Sequence, residues 1–148
     1  MKILMVCLGN ICRSPLAHGV LKHLAKEKGL AWTVDSAGTG NWHVGNPPDR
    51  RSIAIAKRYG VDISTQRAQQ FGNHHFDEYD HILVMDRENL RNVLAKAKSD
   101  EHRARVQLFL PDDEVPDPYF DDSLFDPVYQ LVATRCEELV NEWSSERP

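Results

Sequence analysis

The stretch from Lys2 to Pro15 constrains this chain more than any other. Ile3, Leu4, Met5 and Val6 form an unbroken apolar run, as expected of a strand buried on both faces of a parallel sheet. From Ser14 onward, Leu16, Val20, Leu21 and Leu24 recur at helical spacing, and Pro15 suits a first helical turn. A strand that turns through residues 7–13 straight into a helix converges its backbone N–H groups on one point, with the positive end of the helix behind them. Such a loop accepts an oxyanion of phosphate size.

Two side chains set this loop apart from an ordinary phosphate cradle. Cys7 stands at its mouth and Arg13 closes it, with five residues between them. A helix N-terminus and a nearby cation are the surroundings that turn a thiol into a nucleophilic thiolate. Arg13 offers a planar fork that can hold two phosphate oxygens at once. Ser14 can donate its hydroxyl to the Cys7 sulfur, Asn10 can brace the loop through local hydrogen bonds, and Gly9 is expected to supply backbone angles that a side chain would forbid. Leu8, Ile11 and Cys12 complete the loop. A cysteine ending a buried strand is otherwise inert packing, but the glycine, the serine and the helix that follow together argue for the nucleophile.

Attack on a phosphomonoester by Cys7 would leave a phosphocysteine, so the departing oxygen needs a proton and a water must later be activated. Asp117 is the candidate for both tasks. Pro116 and Pro118 stiffen its backbone and hold its carboxyl on a loop, and Tyr119 and Phe120 follow as aromatics able to wall a slot beside it. Local sequence alone favours a plain turn at this point.

The rest of the chain is compact. With 148 residues it is long enough for one domain with a single substantial core, over 1–148. Lys and Arg number 18 against 22 Asp and Glu, a net charge of −4 that gives no reason to expect nucleic acid or an anionic membrane as partner. No stretch approaches transmembrane length, and the apolar N-terminus is too short for a signal peptide. Three cysteines, two of them in one loop, suit a reducing cytoplasm. Strands are expected at 3–6, 33–36, 81–85 and 105–109, and helices at 14–28, 50–59, 87–98 and 127–143. This alternation predicts an α/β domain with a parallel sheet covered on both faces. The carboxyl ends of its strands would bring the Cys7 loop, the turn after Ser36, Asp86 and the Asp117 loop to one rim. Cys136 and Trp143 fall on an apolar helical stripe and read as core. The pair His74-His75 reads as a solvated loop rather than a metal site, and Arg50-Arg51 as an exposed helix face from which Arg50 could meet acidic substrate residues.

Taken in order, Cys7-Leu-Gly-Asn-Ile-Cys-Arg-Ser-Pro15, Asp35-Ser-Ala-Gly-Thr39, the segment Trp42–Asp49, Met85-Asp86 and Pro116-Asp-Pro-Tyr119 resemble the low-molecular-weight protein tyrosine phosphatases of bacteria. The resemblance spans essentially the whole chain. It implies a four-stranded sheet of order 2-1-3-4, Cys7 as nucleophile, Arg13 as phosphate clamp and Asp117 as general acid and then base. Asn10, Ser14 and Ser36 match positions that organise the loop by hydrogen bonding, and Trp42, Tyr119 and Phe120 match positions lining the mouth for the aryl ring. It implies hydrolysis of phosphotyrosine and small aryl phosphates without metal or other cofactor. Its implied partners are phosphotyrosine proteins, a tyrosine kinase that produces them, and inorganic phosphate or other oxyanions in the loop. Gln66 and Gln69 depart from the pattern, standing where the family usually has histidine and arginine. Cys12, in reach of Cys7, raises the expectation of a reversible disulfide that protects the nucleophile.

Other functions fit less well. Arsenate reduction through the same loop needs two further cysteines to relay a disulfide, and the region 80–100 has none. A phosphate-reading module would need neither thiolate nor acid. A nucleotide site would need a loop lysine that is missing here.

Overall fold

The computed structural model describes residues 1–144. Four strands, β1 (Lys2–Cys7), β2 (Thr33–Gly38), β3 (His81–Val84) and β4 (Val106–Leu108), form one sheet in the order β2-β1-β3-β4. All its pairings are parallel. The helices are α1 (Arg13–Glu27), α2 (Arg50–Arg58), α3 (His74–Glu78), α4 (Arg87–Leu94), α5 (Asp100–Ala104) and α6 (Phe125–Ser144), the last preceded by a 3-10 turn at Asp122–Leu124.

The apolar run of β1 is explained by burial on both sides. Ile3, Met5 and Cys7 join Leu83 and Met85 on the face that packs against α1 and α6, with Leu16, Leu21, Val132, Cys136 and Leu139. Leu4 and Val6 join Ile82 and Val84 on the other face, with Phe71, Phe76 and Val93. The two-residue period of a strand thus feeds two separate cores. Trp143 is buried, edge-on to Trp32 and stacked on His81, as expected of a packing anchor.

This topology decides where a site can form. β1 is central, with β2 on one side and β3 on the other, so the chain changes direction across the sheet at the carboxyl end of β1. A crevice opens at such a switch point, and Cys7 is the last residue of β1. Past β2, residues 69–71 run alongside the strand end: Gly38 N–H donates to the Gln69 carbonyl at 2.8 Å and Phe71 N–H to the Gly38 carbonyl at 2.7 Å. Gly38 has to be glycine, because a Cβ there would lie 2.9 Å from the Leu8 carbonyl oxygen.

The expected strands and long helices are present within a few residues, and the structure adds two short helices. The helix expected to run to residue 98 stops at Leu94, and Ser99 caps a new one by accepting from His102 N–H. His74 and His75 lie in α3 rather than in a solvated loop: His75 is buried, stacked on Phe71, because α3 closes the second core.

Candidate active site

A pocket of about 210 Å³ opens at the carboxyl end of β1, lined by Cys7, Leu8, Gly9, Ile11, Cys12, Arg13, Trp42, His43, Asp117, Tyr119 and Phe120. Pockets for drug-sized ligands run to roughly 300–1,000 Å³; this one suits a single phosphorylated ring. Asn10, Ser14 and Ser36 are buried beneath it.

The floor is a hydrogen-bonded chain whose proton directions follow from the backbone. The N–H of Gln69 donates to Asn10 Oδ1 at 3.0 Å, which fixes the orientation of the Asn10 amide. Asn10 Nδ2 therefore faces Ser14 Oγ and donates to it at 2.8 Å. The Ser14 hydroxyl, having accepted there, keeps its own proton for Cys7 Sγ, 3.0 Å away. Asn10 N–H donates to the same sulfur at 3.3 Å. Two donors thus converge on the one sulfur. The left-handed backbone expected at Gly9 belongs instead to Asn10, at φ 58°, a conformation asparagine tolerates better than most residues. Space at Gly9 is tight: a Cβ there would sit 3.2 Å from the His43 ring, which would have to shift by a few tenths of an ångström.

Arg13 is 4% exposed and is aimed by two acceptors, since its Nη1 donates to Asp86 Oδ2 at 2.8 Å and to the Val115 carbonyl at 3.0 Å. Burial alone would lower its pKa, but the Cys7 sulfur and Asp86 outweigh that and hold the guanidinium above its ordinary value. Asp86 meanwhile caps α4 through Asn89 N–H at 2.8 Å, so each of its oxygens has a task. The Cys12 side chain does not cap α1, whose first N–H groups lack an intrahelical acceptor.

The pocket wall comes from two loops. Asp117 Oδ1 accepts from Tyr119 N–H at 3.1 Å, so the Pro-Asp-Pro segment is both a turn and a wall of the pocket. Val115 N–H is tied to the Met85 carbonyl at 2.8 Å, which anchors this acid loop to the end of β3. Phe120 is 91% exposed and meets Tyr119 edge-on, and Trp42 is 67% exposed with its ring laid on Gly40, where a Cβ would approach within 1.9 Å. With Tyr119 they line one pocket, and apolar side chains exposed together mark an interaction site.

Cys12 is a free thiol, as is Cys7. Burial first, and then the charges of Asp49, Cys7 and Asp117, push the Cys12 pKa up to about 12, so this thiol stays protonated.

The two glutamines that depart from the family pattern have different roles. Gln66 donates to the Pro15 carbonyl at 3.2 Å and stands behind α1 rather than at the loop. Gln69 reaches the loop directly. Its side chain donates to the Ser36 carbonyl at 3.0 Å and receives His75 Nε2 at 3.3 Å. Ser36 pairs its hydroxyl with His18 Nδ1 at 2.9 Å, so its link to the loop runs through Gln69.

Among the described residues, His74, His75 and Glu78 bring ligand atoms within 4.8 Å of one another. Gly72 N–H donates to His75 Nδ1 at 3.0 Å, so Nε2 carries the proton that Gln69 accepts. Both nitrogens of His75 are committed, which leaves no lone pair for a metal. The sequence reading missed His43 on the rim, the Asp86 hold on Arg13 and the Gln69–His75 pair. Only Asp86 had a sequence signal, its place just after β3.

The family model described as low molecular weight phosphotyrosine protein phosphatase matches residues 2–148. The Bacillus subtilis low molecular weight protein-tyrosine-phosphatase YfkJ is 39% identical, the match covering 98% of this chain and 97% of that protein. Its crystal structure superposes with a TM-score of 0.91 at 36% identity, over 100% of this chain and 97% of that one. Vibrio vulnificus Wzb, solved in complex with benzylphosphonate, gives a TM-score of 0.86 at 32% identity, over 95% of this chain and 97% of its own. With the match running nearly end to end, the chain belongs to the low molecular weight phosphotyrosine protein phosphatases and is an enzyme of the protein-tyrosine phosphatase class.

Proposed function

We propose that this phosphatase hydrolyses phosphotyrosine and small aryl phosphate monoesters through a phosphocysteine intermediate. The observation that carries the reading is the Cys7 sulfur, which receives Ser14 Oγ at 3.0 Å and Asn10 N–H at 3.3 Å. It shares its pocket with Arg13 and Asp117. In the first step the Cys7 thiolate attacks phosphorus and the bond to the aryl oxygen breaks. Asp117, in its acid form, gives its proton to the departing phenolate, while Arg13 and the loop N–H groups hold the equatorial oxygens. In the second step water attacks phosphorus, the Asp117 carboxylate takes its proton, and the sulfur leaves as a thiolate that Ser14 and Asn10 stabilise. Inorganic phosphate is released, and the chain's residues supply the acid, the base and the nucleophile.

The aromatic rim formed by Trp42, Tyr119 and Phe120 supports an aryl rather than an alkyl ester. Proteins phosphorylated by a tyrosine kinase are the natural substrates on this reading, and thiolate chemistry suits the reducing cytoplasm. Hydrolysis of p-nitrophenyl phosphate tests it: Cys7→Ser should abolish turnover, and Asp117→Asn should slow it strongly.

Cys12 lines the same pocket as Cys7, and a resolving role would require its protonated thiol to lose its proton as it attacks. Peroxide would convert the Cys7 thiolate to a sulfenic acid, Cys12 would attack that sulfur with loss of water, and an external thiol would reduce the resulting disulfide.

A further inference from the structure

Arg51 was expected on an exposed helix face, yet its side chain reaches back to Asp49 and across to Asp122. Its Nε and Nη2 donate to the two oxygens of Asp49 at 3.0 and 2.9 Å, and its Nη1 donates to Asp122 at 2.7 Å. The same guanidinium lies 5.3 Å from the ring centre of Tyr119 and 4.5 Å from that of Phe125. Hydrogen bonds from Arg51 hold Asp49 below its ordinary pKa, and Asp49 and Asp122 in turn hold Arg51 above its own.

Each end of this bridge continues into the site. Asp49 N–H donates to the Ile11 carbonyl of the nucleophile loop at 2.8 Å. Tyr119, under the guanidinium, gives its N–H to the Asp117 carboxylate at 3.1 Å. Arg51 therefore joins the loop that holds the nucleophile to the loop that holds the acid. One exposed ion pair would count for little. A two-point fork on Asp49 combined with cation–π contact fixes the distance and the angle between the two loops together.

We propose that Arg51 is a positioning residue for the reaction: it sets the placement of Asp117, and of the Tyr119 wall, relative to Cys7. The proposal rests on the reading of Asp117 as the general acid. Lysine could keep the charge but not the fork or the stack. Loss of Arg51 should therefore impair protonation of the leaving group more than it impairs phosphate binding.

The test compares kcat/KM on p-nitrophenyl phosphate, whose leaving group needs little help, with kcat/KM on phenyl phosphate, whose leaving group needs a proton. In Arg51→Lys and Arg51→Gln the ratio of the two should rise at least about fivefold, while inhibition by inorganic phosphate changes by less than about twofold. Asp122→Asn removes the charge from one exposed contact on the acid-loop side and should shift the ratio the same way by less. Equal loss on both substrates, an unchanged ratio, or weaker phosphate inhibition in step with the loss would overturn the proposal. Asp117→Asn is the control. If it fails to raise the ratio, the reading of the acid is wrong; if it raises the ratio and the Arg51 variants do not, the positioning role is wrong.

Discussion

The backbone N–H of Gln69 donates to Asn10 Oδ1 at 3.0 Å, and through it the Ser14 hydroxyl proton is directed at Cys7. The direction depends on Asn10 carrying both an acceptor and a donor. Asn10→Asp keeps the left-handed backbone and the bond from Gln69, but it replaces the donor with a second acceptor. Ser14 then turns its proton away from the sulfur. The variant should lose about tenfold to a hundredfold in kcat, the range for a lost hydrogen bond to a charged group. Alkylation of Cys7 by iodoacetate at neutral pH should slow in parallel.

Asp86 serves two donors with its two oxygens, Arg13 Nη1 at 2.8 Å and Asn89 N–H at 2.8 Å. Asp86→Asn leaves one acceptor for both. The inhibition constant of inorganic phosphate should rise about tenfold, with KM for aryl phosphates moving alongside. Steady-state inhibition measurements check this.

Cys12 is held protonated by burial, with a pKa of about 12. After a peroxide pulse followed by dithiothreitol, the parent should regain its activity, and Cys12→Ser should regain much less because Cys7 oxidises past the sulfenic stage. Full recovery in the variant would remove the resolving role.

His18 gives stability a pH dependence. Burial lowers its pKa to about 4, against the opposing charge of Asp35, so the folded chain keeps it neutral where the unfolded chain binds a proton. Below the unfolded value of about 6.5 the unfolded state takes up the proton and stability falls, until the folded state also titrates near 4. Between pH 7 and pH 5 this group should remove about 2 kcal/mol of unfolding free energy. Urea denaturation at the two pH values should show that loss, and His18→Gln should reduce it. His75, also lowered mainly by burial, adds in the same direction.

The parts of this molecule legible in its sequence are those written in neighbouring residues. The apolar run of β1, the loop from Cys7 to Arg13 and the start of α1 are contiguous, so their period and composition reveal a strand, a cradle and a helix in turn. The fold class followed from similar runs. What stayed hidden was contact between distant segments. Arg51 and Asp122 are 71 positions apart, and Arg13 and Asp86 are 73 apart. The helices α3 and α5 span only five residues each, too few for a hydrophobic period to register. Gln69 looked like a lost arginine, and only its bonds to Asn10, Ser36 and His75 reveal it as the root of the loop's network.

The most direct test is the first turnover. Mixing the enzyme with excess p-nitrophenyl phosphate under rapid-quench conditions should release a burst of about one nitrophenol per chain. Mass spectrometry of the quenched sample should find one phosphoryl group on the peptide that contains Cys7. Turnover that persists in Cys7→Ser, or a phosphoryl group on any other residue, would contradict the account.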